Sequence, residues 1–160
     1  MPDPVLRLAR LADAYLIALM SRNLIETGLR GWSWHPERVA RSIRSSSTNA
    51  LVATIREHMI GFAIMDYRDT HAHLSLFAVS PIHQRRGIGR RMIAWLEESA
   101  LVAGIATINL ELRVDNHAAR DFYRKLGFKQ TAYIPGYYNG VETALRMSRD
   151  IRRQITHRIS

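Results

Sequence analysis

Apolar and polar positions alternate most regularly in the middle of the chain, and the rest is organised around that stretch. From Leu74 to Val79, Leu74, Leu76 and Ala78 fall on one face and Ser75, Phe77 and Val79 on the other, which is the period of a β-strand. Ser80 and Pro81 end the strand, because proline cannot donate to a sheet ladder. From Ile88 the period lengthens to that of a helix, with Ile88, Met92, Trp95, Leu96, Ser99 and Ala103 near one face. Between strand and helix lies a short basic turn, Gln84-Arg-Arg-Gly-Ile-Gly89.

The same reading predicts the flanking elements. Val5 to Arg7 makes a short first strand, and Leu11 to Leu24 a helix with Leu11, Tyr15, Leu16, Leu19 and Met20 apolar. An aromatic loop around Trp32 and Trp34 follows, then a helix opened by Pro36 and running to about Arg44. Leu51–Arg56, Ile60–Tyr67 and His71–Val79 are strands with short connections, hence an antiparallel meander. Beyond the long helix, Gly104 provides a stop and Thr107–Val114 a strand, with Ile108, Leu110, Leu112 and Val114 on one face and Asn109, Glu111 and Arg113 on the other. Asn116 caps a helix ended by Gly127. Phe128–Ile134 and Val141–Met147 form a last strand pair joined by the loop Pro135–Gly140. Together these predict an α+β fold in one domain over residues 1–148, with a basic tail over 149–160.

Length and composition bound the function classes. The 160 residues suffice for one substantial core, and 47% hydrophobic residues fit a globular chain. No apolar run approaches the roughly 20 residues of a membrane span, and the first ten residues lack the order of a signal peptide, so no membrane partner is expected. Cysteine is absent, which removes disulfides, thiolate nucleophiles and thiolate metal sites and permits a cytoplasmic location. A net charge of +9 suits phosphate-bearing partners. The basic residues are scattered over most elements without aromatic interleaving, which argues against nucleic acid. His71 and His73 alternate beside a turn with no evident third ligand, so they are expected to be solvated and no metal is expected.

The basic turn has the make-up of an anion cradle. The first amides of a helix lack internal partners and carry partial positive charge, glycine permits close approach, and arginines add full charges. The turn lacks the lysine of a Walker loop and the third glycine of a dinucleotide fingerprint, so a plain tight turn remains a competing reading. Glu111 could be a solvated residue paired with Arg113, and Tyr123, on the apolar face of its helix, could be core. The two tryptophans could pin their loop to the core or face a substrate.

Two motifs together, Gln84-Arg-Arg-Gly-Ile-Gly89 and Asn116-His-Ala-Ala-Arg-Asp-Phe-Tyr123-Arg-Lys-Leu-Gly127-Phe128, resemble the GNAT superfamily of acetyl-CoA-dependent N-acetyltransferases over roughly residues 51–147. Leu110-Glu111-Leu112-Arg113, the Tyr137-Tyr138 doublet and Glu142–Met147 are similar to the ribosomal-protein-alanine and other protein N-terminal acetyltransferases. The resemblance implies a single mixed, mostly antiparallel sheet with helices on both faces and strands splayed at the cofactor site. It implies that the backbone of Phe77, Ala78 and Val79 pairs with the pantetheine arm of acetyl-CoA. Gln84, Arg85, Arg86, Gly87, Ile88, Gly89 and Arg90 would hold the pyrophosphate, and Asn116 would bond the pantetheine. Glu111 would act as base, directly or through water, and Tyr123 as acid, while Trp32, Trp34, Tyr137 and Tyr138 would shape the acceptor site. The implied reaction is acetylation of an amine, a protein N-terminus above all. A small-molecule amine, a lysine side chain and a catalytically idle acyl-CoA-binding module are the alternatives, and a second copy of the chain is kept as a candidate partner.

Overall fold

The Leu74–Val79 alternation lies in the fourth of seven strands that follow one another across a single mixed sheet, seen in a computed structural model that describes residues 2–152. In chain order the described strands are β1 (Val5–Leu8), β2 (Thr48–Ile55), β3 (His58–Tyr67), β4 (His71–Val79), β5 (Thr107–Arg113), β6 (Lys129–Tyr138) and β7 (Glu142–Asp150). The described α-helices are α1 (Ala14–Leu24), α2 (Pro36–Arg44), α3 (Ile88–Val102) and α4 (His117–Lys125). Across the sheet the order is β1-β2-β3-β4-β5-β7-β6. β1 with β2, β2 with β3, β5 with β7 and β6 with β7 are antiparallel, whereas β4 and β5 run parallel from His71↔Thr107 to Leu74↔Leu110.

Contacts group the chain into two compact units. One takes the residues up to Asp66 with Ser75–Leu96, and the other Tyr67–Leu74 with the residues from Glu97 on. In the first, β2 and β3 are buried at every position from Ala50 to Thr54 and from Ile60 to Met65. A strand covered on both faces reads as a continuous apolar run rather than an alternation. Ala14, Ile17, Ala18, Val39, Val52, Phe62, Ile64 and Leu76 form its core cluster. β2 and β3 turn through Arg56 and Glu57, at φ 50° and 68°. Two non-glycine residues in the left-handed region give no sequence signal, and for that reason the pattern carries the strand on to Arg56.

The sequence misplaces the buried face of α1. Leu11, Tyr15 and Leu16 are exposed, and the face turned inward is Ala14, Ile17, Ala18 and Ser21. Both stripes have helical spacing and both are largely apolar, so periodicity has no basis for choosing between them. In α3 the buried positions are Ile88, Met92, Ile93, Leu96 and Ala100, with Ala103 exposed.

In the second unit β5 alternates as its sequence requires: Ile108, Leu110 and Leu112 are buried, and Asn109, Glu111 and Arg113 are not. The Tyr137-Tyr138 doublet belongs to strand β6 rather than to a loop, because a break in register between Ile134 and Tyr138 lets the strand continue past Pro135 and Gly136. The chain is also ordered further than the expected start of the tail. Arg149 lies within β7, is 9% exposed, and donates from Nη1 to Glu97 Oε1 at 2.6 Å. Ile151 is buried behind it, and residues 153–160 of the expected tail lie outside the described residues.

Candidate active site

The basic turn is built in the first unit from contiguous residues. Ser80 N donates to Ile60 O at 2.7 Å as β4 ends, and Pro81–His83 forms one turn of 3-10 helix. Gln84 Nε2 reaches back to Val79 O at 2.9 Å, which ties the start of the turn to the strand end. The Gln84 side chain therefore has a structural partner, and any role of Gln84 toward an anion falls to its backbone. Arg85 and Gly87 take φ of +66° and +78°. Left-handed backbone at an arginine is uncommon and carries strain of ~1–3 kcal/mol, a cost that clusters at functional turns. A Cβ at Gly87 would meet nothing within 4 Å, so the turn is open on that side. The buried Ile88 anchors the start of α3, while the side chains of Arg85, Arg86 and Arg90 are exposed. The result is a helix N-terminus with an open, glycine-bearing approach and three exposed arginines, which is what a pyrophosphate requires.

The residues expected to handle protons stand in the second unit. Glu111 points from β5 with a side chain only 5% exposed. His73 Nε2 of β4 lies 2.5 Å from Glu111 Oε1, Tyr137 Oη of β6 donates to the same oxygen at 2.9 Å, and Arg146 Nε of β7 donates to Oε2 at 2.9 Å. Arg146 is the residue directly opposite Glu111 in the β5–β7 register. Burial works against the carboxylate's charge, but the hydrogen bonds from His73, Arg146 and Tyr137 outweigh it and bring the pKa down to about 2. These groups line a polar cleft of about 440 Å³, rimmed by Arg68 and His71. Arg113, the partner expected for Glu111, stands instead 3.9 Å from Glu142.

Among the sequence-predicted residues, the cleft brings together Glu111 and Tyr137. Tyr138 packs edge-on against Tyr137 with ring centroids 5.0 Å apart, and burial pushes its hydroxyl pKa well up. Tyr123 is 7% exposed on α4, edge-on to Phe128 at 5.5 Å, and burial raises its pKa likewise. Asn116 caps α4, its Oδ1 accepting from Ala119 N at 3.1 Å.

The tryptophan loop belongs to the first unit, where Trp32 and Trp34 pack against the core cluster. The buried Glu26 fastens the loop, accepting from Ser33 N at 2.7 Å and from Ser21 Oγ at 2.9 Å. Arg38 stacks over Trp34 at 3.8 Å.

His73 and Arg146 are the side-chain partners of Glu111 that sequence reasoning missed. The available signal was phase: His73 shares the less buried face of β4 with Ser75 and Phe77, and β5 carries Glu111 on its own less buried face. Among the described residues no group of three or more His, Cys, Asp or Glu side chains stands at metal-binding spacing, and no helix is long and apolar enough to cross a membrane.

Comparison with known proteins bears on the fold and the family. The chain is 36% identical over 101 residues to the [ribosomal protein bS18]-alanine N-acetyltransferase of Salmonella typhimurium, a match covering 61% of this chain and 68% of that enzyme. The match to the Escherichia coli enzyme of the same name, at 37% identity, covers 56% of this chain and 63% of its relative, so the chain spans less than two thirds of that enzyme's length. Among solved structures, Ard1 from Thermoplasma volcanium superposes with a TM-score of 0.80 at 26% identity, covering 92% of this chain and 97% of that one. A family model described as the acetyltransferase (GNAT) family matches residues 15–128. With the glycine-bearing turn at the head of α3 and the buried carboxylate of β5 both inside that span, the chain belongs to the GNAT family of acetyl-CoA-dependent N-acetyltransferases.

Proposed function

We propose that this protein transfers the acetyl group of acetyl-CoA to the α-amine of a protein or peptide N-terminus. The observation that carries the reading is Glu111: a buried carboxylate, held ionised by three donors, in a polar cleft of about 440 Å³. The named activity of the Salmonella relative, alanine N-acetylation of a ribosomal protein, supports the same acceptor class.

The residues present fit the co-substrate. The left-handed turn at Arg85 and Gly87 opens the first amides of α3 to a pyrophosphate, and Arg85, Arg86 and Arg90 supply charge. The backbone of Phe77, Ala78 and Val79 is the proposed partner of the pantetheine arm and, through one amide, of the developing oxyanion. The side-chain oxygen of Asn116 is engaged in the helix cap, so its share falls to the rest of the amide.

The chemistry is attack of a neutral amine on a thioester carbonyl. An α-amine titrates near ~7.7–8.0 and a lysine near ~10.4, so an N-terminus asks less of the base. The ammonium is drawn to the Glu111 carboxylate and gives up its proton to the group built around it. Tyr123 is the proposed hydrogen-bond donor to the departing thiolate. Its raised pKa suits stabilising that charge by a hydrogen bond better than surrendering the proton early. Tyr138, packed edge-on against Tyr137 of the cleft, is proposed to bound the acceptor's first side chain, and the absence of cysteine fits a cytoplasmic setting.

A panel of Ala- and Ser-initiated peptides, lysine peptides and small amines, read by thiol release and by mass spectrometry of the product, tests the acceptor class. Acetyl groups on the α-nitrogen, lost in Glu111→Gln, are expected. Modification of lysine side chains alone, or of free small amines alone, overturns the N-terminal reading.

A further inference from the structure

We propose that the cleft selects acceptors with an acidic side chain at the third or fourth residue from the acetylated N-terminus, and that Arg68 is the group that meets it. The inference rests on the N-terminal reading above and narrows the acceptor within it. The residues that line the cleft all belong to the second unit. Among the described lining residues none is aliphatic and Glu111 is the only acid. That acid is already matched, its Oε2 accepting from Arg146 Nε at 2.9 Å, so the guanidinium of Arg68 is the charge left over. Among the described residues no hydrogen bond or ion pair engages that guanidinium, and the neighbouring Asp69 is exposed and stands outside the cleft lining.

The neutral polar groups are turned the same way. Ser148 Oγ donates to Asn109 Oδ1 at 2.6 Å and Thr131 Oγ1 to Arg146 O at 3.3 Å, so both hydroxyl protons are spent within the protein. Asn109 is thereby left presenting the hydrogens of Nδ2. A guanidinium and a side-chain amide on the lining of one cleft are donors that lack an acceptor, and a carboxylate answers both. The net charge of +9 draws acidic chains toward the molecule in the first place.

Register sets the spacing. β4 and β5 pair His71 with Thr107, four residues before Glu111 on β5, and Arg68 N donates to His71 O at 2.8 Å. At ~3.3 Å per residue, Arg68 therefore leaves the sheet about 13 Å from the level of Glu111. An extended peptide rises by the same step, so with its α-amine at Glu111 its fourth residue lies about 10 Å along the cleft. The guanidinium and the acidic side chain span the remainder. A free amino acid is too short to join the two ends, which sets a peptide apart as the ligand.

Alanine-initiated peptides, amidated at the C-terminus so that one side chain is the sole carboxylate, test this with a glutamate or a glutamine at each of positions two to five. Thiol release at saturating acetyl-CoA should give a KM roughly two- to fivefold lower for glutamate at the third or fourth residue, with kcat little changed, as for an ion pair open to solvent. The preference should shrink as salt rises. Arg68→Gln should bring the glutamate and glutamine peptides level, and Arg68→Glu should turn the preference toward lysine at the same place. No glutamate preference in the parent, or one that survives Arg68→Gln, overturns the proposal. Calorimetry of the same peptides with CoA present separates it from the N-terminal reading. Arg68-dependent preference for glutamate in binding, without acetylation of any α-amine, refutes that reading and keeps the cleft assignment. Acetylation of α-amines indifferent to the acid keeps the reading and overturns the assignment.

Discussion

The state of Glu111 can be tested through stability, because a carboxylate held ionised by the fold must destabilise the fold when it is protonated. Its pKa stands at about 2 against an ordinary 4.5. At ~1.4 kcal/mol for each tenfold change in proton affinity, that difference amounts to about 3 kcal/mol. The side chain is almost wholly buried, so solvent screening takes little from the figure. The sign follows from the direction: the folded value is depressed, so the contribution is complete above about pH 4.5 and disappears as pH falls toward 2. By pH 3, about 2 kcal/mol of it should be gone. Asp13, whose pKa is lowered by its hydrogen bond from Arg7, also loses a stabilising contribution in acid and would confuse a single curve. Glu111→Gln removes only the first of these. Urea unfolding of both proteins at pH 7, 5, 4 and 3, followed by circular dichroism, should show the parent losing about 2 kcal/mol more than the variant between pH 7 and 3. The variant, unable to provide an anion for Arg146, should be the less stable at pH 7, with the gap closing in acid. Parallel losses in the two proteins would refute the reasoning and return Glu111 to the class of ordinary surface acids.

Two further outcomes are expected. Gly89→Val, which adds a branched side chain at the second residue of α3, should abolish acetyl-CoA binding in calorimetry while the melting curve stays cooperative; unchanged affinity in the folded variant would remove the pyrophosphate assignment. Tyr123→Phe keeps the ring against Phe122 and Phe128 and deletes only the hydroxyl, so melting should hardly move while turnover falls ~10²–10⁴-fold; normal turnover would leave Tyr123 as a core residue.

How much of this could be read in advance depended on how local each feature is. β4 and α2 fall at the bounds their sequences announce, because Ser80-Pro81 and Pro36 punctuate them within a residue or two. β5 shows its buried and open faces by strict alternation. The inward face of α1 was not legible: Leu11, Tyr15 and Leu16 are larger than Ala14, Ala18 and Ser21, yet those three small residues, together with Ile17, are the ones turned inward. Close approach of a helix to its neighbours favours small side chains, and a hydrophobicity pattern weighs them least. Arg149 is the same lesson in charge. It reads as the start of a solvated basic tail, and only the fold brings Glu97, 52 residues earlier, to pair with it.

The candidate site divides along that line. The anion turn is contiguous from Val79 to Ile88, and its glycines and arginines announce it within one stretch. The surroundings of Glu111 are assembled by sheet register: its donors lie 38, 26 and 35 residues away in sequence, on β4, β6 and β7. No local pattern ties those positions together. Glu111 could be singled out in advance only through resemblance, and its working environment not at all. A consequence follows for telling an enzyme from an idle acyl-CoA-binding module. Both would keep the turn, because both hold the same phosphates. What an idle module has no reason to keep is a buried carboxylate whose ionisation is maintained by an imidazole, a phenol and a guanidinium from separate strands. That arrangement costs stability in acid and adds nothing to phosphate binding. Substitutions at 73, 137 and 146, taken with 111, are therefore where an enzyme and an idle module should part, and those in the glycine motif are where the two should agree.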